Sequence, residues 1–153
     1  MKPLDTTPEK VLREAILSEA STHVYYEKLA ERAATADVRN RLLALSAGKL
    51  RHRSGLEQKY REEIGTPPPD PASITIELPA ELRTIDMGRA LKIALEHERE
   101  KESNFRFLAE RVPGTELGAL FMELAEIAWK HKVALQNEYD LTVADPEEFL
   151  LDI

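Results

Sequence analysis

Residues 29–32 read Leu-Ala-Glu-Arg, and residues 108–111 read Leu-Ala-Glu-Arg again. The offset is 79 positions, and it holds well outside the tetrapeptide. Ala15 maps to Ala94, Glu19 to Glu98, Tyr26 to Phe105, Leu45 to Leu124, His52 to His131, Leu56 to Leu135 and Tyr60 to Tyr139. No gap is needed anywhere from Leu12 to Tyr139. A fixed internal period says more about architecture than any single motif, because a repeated sequence unit is a repeated structural unit. Here the unit is long enough for a pair of helices, and the pair occurs twice.

The local signals agree. Thr7-Pro8-Glu9 supplies a capping hydroxyl, a proline at the first helical position and an acid facing the helix dipole. Leu12, Ile16, Tyr26 and Ala30 then recur at helical spacing, with Glu19 and His23 on the same line. The first helix is expected from about Pro8 to Ala34. Thr35-Ala36-Asp37 makes a short break and a fresh cap, so the second helix turns back antiparallel to the first. It carries Leu42, Leu45, Lys49, His52, Leu56 and Tyr60 on one face, and Gly65 with Pro67-Pro68-Pro69 ends it.

A third helix starts near Asp86, and Pro113-Gly114-Thr115 breaks it and caps a fourth that ends near Asp140. Asp145-Pro146-Glu147-Glu148 is another cap-and-proline start, which predicts a short last helical turn. The expected fold class is all-α: a four-helix bundle of two repeated hairpins with a long crossover between helices 2 and 3. It is read as a single domain over 1–153, with repeat 1 at about 8–65, the crossover at about 66–85, repeat 2 at about 86–140 and a short tail at 141–153.

Composition narrows the function classes. At 153 residues, with 42% hydrophobic and 32% charged residues, the chain has the balance of one globular domain. A net charge of -7 argues against a nucleic-acid partner, which demands a basic stripe. The absence of cysteine excludes disulfides, iron–sulfur clusters, zinc knuckles and thiol catalysis within this chain. No stretch approaches the ~18 apolar residues of a membrane span. Met1-Lys2-Pro3-Leu4-Asp5 offers no apolar run for a signal peptide. The expectation is a cytoplasmic protein with no membrane and no nucleic acid.

Each helical stripe is apolar at both ends and polar in the middle. The middle layer holds Glu19, His23, Lys49, His52, Glu98, Glu102 and His131, with Ala128 beside the last. Burying so many ionisable groups without partners would cost several kcal/mol each. They pair, bind something or meet water. Four-helix bundles build metal sites in this layer, from one Glu on each of two helices and a Glu-x-x-His on each of the other two.

On these residues the chain resembles the rubrerythrin branch of the ferritin-like di-iron carboxylate proteins. Glu19 with Tyr25-Tyr26 and Leu29-Ala30 is similar to that family's first-helix pattern, and Glu98 with Phe105 and Leu108-Ala109 to its third. His52 and His131 stand where each Glu-x-x-His has its histidine. The resemblance runs from Leu12 to Asp140. It implies a ferritin-like bundle, iron as cofactor, and peroxide reduction, oxygen chemistry or iron oxidation as the activity.

The departure from the family is as informative as the match. Where it places its two motif glutamates, this sequence reads Lys49-Leu50-Arg51-His52 and Ala128-Trp129-Lys130-His131. A di-iron centre draws charge balance and bridging oxygens from about four carboxylates. The metal-ligand set carried over is therefore Glu19, His52, Glu98 and His131, with His23 and Glu102 as additional candidates and Lys49 and Ala128 as replaced positions. Three functions stay open: a protein holding one divalent metal (iron or zinc) or none, an iron-dependent oxidoreductase or peroxidase with atypical ligands, and a metal-free dimeric scaffold that binds a partner. Leu17 and Val24 on helix 1, with Leu43 and Leu50 on helix 2, form apolar lines outside the core stripe and suggest a homodimer face.

Overall fold

The structure, a computed structural model, describes residues 7–72, 74–80 and 82–143. Four helices account for most of them: α1 (Pro8–Glu31), α2 (Ala36–Ile64), α3 (Met87–Arg111) and α4 (Glu116–Val143). The fold class is all-α. α1 packs on α2, and α3 packs on α4. The chain forms two compact units, Met1–Asp86 and Met87–Ile153, with one hairpin in each. No described helix is long and apolar enough to cross a membrane.

The helix starts follow from local chemistry. Thr7 Oγ1 accepts from Lys10 N, Thr35 Oγ1 from Val38 N, and Thr115 Oγ1 from Gly118 N, each satisfying an N–H that the first turn leaves over. α2 ends on Gly65, whose φ of 80° is the left-handed conformation that a side chain would strain. Glu9, at the start of α1, accepts from the Tyr60 hydroxyl near the end of α2 at 2.8 Å, which fixes the first hairpin as antiparallel.

The core repeats with the sequence. Leu12, Ile16, Tyr26, Val38, Leu42 and Leu56 are buried in the first unit, and the residues 79 positions on (Leu91, Leu95, Phe105, Leu117, Phe121 and Leu135) are buried in the second. Phe105 and Phe121 stack with ring centroids 6.1 Å apart. Spacing at 3.6 residues per turn puts these side chains on one face of each helix, so the same pattern produces the same hairpin twice.

Two boundaries differ from expectation, the end of α1 and the end of α4. α1 stops at Glu31 rather than Ala34 because the chain beyond it is used otherwise: Ile85 N donates to Arg32 O and Ala34 N to Ile85 O, both at 2.8 Å, as a short parallel bridge. The Arg32 guanidinium also donates to the carbonyls of Pro79 and Leu82. The crossover is thus clipped to the α1–α2 turn, with Leu82 and Ile85 buried and Ile74, Ile76 and Leu78 half-buried. α3 begins at Met87, and α4 runs on to Val143. The short helical turn expected after Asp145 lies outside the described residues.

Candidate functional site

In the first hairpin Glu19 sits midway along α1 and is only 1% exposed. α2 faces it with Lys49 and His52, one turn apart on one side of the helix. His52 Nδ1 lies 3.7 Å from Glu19 Oε2. Lys49 is 2% exposed, so its side chain occupies the interior of the hairpin. His23, one turn beyond Glu19, turns to other partners. Its Nδ1 lies 2.6 Å from Ser46 Oγ and its Nε2 2.9 Å from Glu27 Oε1, so both ring nitrogens are engaged.

The second hairpin repeats the pair. Glu98 on α3 is 1% exposed, and His131 Nδ1 on α4 lies 3.8 Å from Glu98 Oε2. Ala128 is buried at the position equivalent to Lys49. Glu102, the repeat equivalent of His23, is also drawn elsewhere: its carboxylate accepts from Lys132 Nζ at 2.6 Å and from Arg106 Nε at 2.9 Å. The hydrogen bond from Lys132, followed by that from Arg106, holds the Glu102 carboxyl below the ordinary carboxylate range against the opposing effect of burial.

The sequence-derived residues are thus brought together as two matching Glu–His pairs, Glu19 with His52 and Glu98 with His131, while His23 and Glu102 are committed to bonds of their own. The separations of 3.7 and 3.8 Å exceed a hydrogen bond and lie within ion-pair reach. They are also close to the distance between two donors on one ion, given bonds of about 2.0–2.2 Å and a wide angle. Each hairpin by itself offers one oxygen and one nitrogen donor. Among the described residues, no three His, Asp or Glu side chains gather into a group able to hold a metal ion.

Sequence reasoning missed Ser46, Lys132 and Arg106. Arg106 stands four residues after Glu102, the spacing of a helical ion pair, and was open to discovery that way. Ser46 and Lys132 reach across to the other helix of their hairpins, and no local spacing signals that.

Neither a protein-family model nor a curated protein matches the chain. Among solved structures, it resembles a hypothetical protein from Pyrococcus furiosus at a TM-score of 0.63 and 21% identity, over 92% of each chain. At that identity the likeness concerns the fold: four helices in an all-α chain.

Proposed function

We propose that this chain is a rubrerythrin-like member of the ferritin-like class whose two-metal centre has given way to a buried Glu–Lys–His network. It holds one divalent metal ion, iron or zinc, or none. The observation that carries the reading is Lys49. A cation at 2% exposure, at a motif glutamate position, takes over charge balance that a metal would otherwise provide. Ala128 removes the second motif carboxylate and leaves nothing that can ligate. Two divalent ions held close together repel, and only several bridging and terminal carboxylates offset that repulsion.

On this reading Glu19, His52, Glu98 and His131 are the residues that would hold a metal, each Glu–His pair supplying one carboxylate oxygen and one imidazole nitrogen. A bound divalent ion would supply Lewis-acid or one-electron chemistry. The residues themselves supply carboxylate oxygens, imidazole nitrogens and, at Lys49, a buried amine. The protein works in the cytoplasm as a homodimer, without nucleic acid, which its acidic net charge would repel.

Reconstruction tests the reading. Lys49→Glu with Ala128→Glu restores a Glu-x-x-His on α2 and on α4. The double variant is expected to take up about two irons per chain, the loading of the four-helix recipe, while the parent takes up one or none. A folded double variant that gains no iron would show that the Glu–His pairs are not ligand half-sites.

A further inference from the structure

Among the described residues, two apolar lines remain uncovered. Leu43 and Leu50 are exposed on α2, and Met122 and Trp129 are exposed on α4. Within each helix the two residues are seven apart, two turns along one side. Val133 extends the α4 line by one further turn. Leu43 maps to Met122 and Leu50 to Trp129 at the 79-residue offset. The outward line is therefore a property of the repeated unit, present twice in each chain. Leu17 and Val24, by contrast, are half-buried on α1.

The two copies of the line differ in charge. α2 carries seven Lys and Arg against four Asp and Glu, a balance of +3; α4 carries two against five, a balance of -3. Exposed Arg39 and Arg51 stand beside the α2 line, and exposed Glu123 and Glu126 beside the α4 line, with Lys130 against the trend. α2 against α2 would set arginine beside arginine, and α4 against α4 would set glutamate beside glutamate. α2 against α4 matches apolar line to apolar line and opposite charge to opposite charge.

We propose that the occupant of each line is the other line on a second copy of this chain: α2 of one protomer packs on α4 of its partner. Each protomer carries both faces, one in each hairpin. Trp129, Met122 and the two leucines supply the large apolar side chains that interface centres favour, and the charges form the rim. This inference rests on the homodimer reading above and assigns that homodimer its surface.

The test uses the full chain. Trp129 is the single tryptophan and is 42% exposed in the isolated chain, so its emission reports the contact. Sedimentation velocity is expected to show a dimer. On dilution, Trp129 emission should move to longer wavelength and become more accessible to acrylamide in step with dissociation. Leu50→Glu and Met122→Glu should each weaken the dimer by on the order of thirtyfold or more, the scale of an interface hot spot, with circular dichroism unchanged. Arg39→Glu with Arg51→Glu should weaken it, as should Glu123→Arg with Glu126→Arg, and mixing the two variant chains should restore dimers. A monomer at high micromolar concentration would overturn both this surface and the homodimer reading. A dimer indifferent to these variants would overturn the surface alone. Sensitivity to the α2 variants without sensitivity to the α4 variants would mean a like-to-like contact, and would overturn it too.

Discussion

The carboxylate of Glu102 faces Lys132 Nζ at 2.6 Å and Arg106 Nε at 2.9 Å, and those cations, Lys132 first, lower its pKa. A carboxyl whose folded pKa lies below its unfolded value contributes stability that is present above the unfolded pKa and is lost as pH falls through the folded one. Glu102→Gln should therefore destabilise the protein near neutral pH by about 1 kcal/mol, discounted for the partly exposed partners. That difference should shrink as pH falls from 4.5, the ordinary carboxylate value, downwards. Urea unfolding at a series of pH values checks it, and a constant difference across the acid limb would remove the role given to this pair. At this scale the two Glu–His pairings were legible. Glu19, His52, Glu98 and His131 sit on helical stripes at repeat-equivalent positions; the two glutamates are buried, while the His52 and His131 side chains are 18% and 45% exposed. The diversion of Glu102 to Lys132 and of His23 to Ser46 was not legible, because each bond crosses between helices whose relative rotation no local pattern reports.

Each hairpin is set by its connection as much as by its stripes. At the start of α4, Thr115 Oγ1 donates to Val112 O at 2.6 Å and accepts from Gly118 N at 3.0 Å. A Cβ at position 118 would lie 2.3 Å from Val112 O, a backbone oxygen that cannot yield without opening this turn. Gly55, within α2, has nothing within 4 Å of where a Cβ would stand. The two glycines should respond oppositely. Gly118→Ala should lower stability by roughly 1–3 kcal/mol through overpacking. Gly55→Ala should raise it by roughly 0.5–1 kcal/mol through helix propensity. Thermal unfolding of both variants decides this, and shifts of the same sign would contradict the described turn. The caps at Thr7, Thr35 and Thr115 were readable, since a hydroxyl before a helical run has one dominant use. The end of α1 at Glu31 was not, because Arg32 and Ala34 give their backbone groups to Ile85, more than fifty residues away.

Over the whole chain, the 79-residue repeat organises both what is buried and what is displayed. Buried apolar positions recur in both units because each hairpin must cover the same stripe, and that requirement made the four helices readable. The polar layer recurs less faithfully. Glu19–His52 and Glu98–His131 recur in parallel, while the repeat-equivalent positions three residues before the histidines are Lys49 and Ala128. The outward lines recur as well, with opposite charge around them, a difference visible only once exposure distinguishes them from the core. On the proposed reading, Lys49 and Ala128 exclude a two-metal centre. The most direct test is the metal stoichiometry of the unaltered chain, purified without chelator, loaded anaerobically with excess ferrous iron, passed through a desalting column and measured by mass spectrometry. The expected result is at most one iron per chain; two tightly retained irons per chain would contradict it.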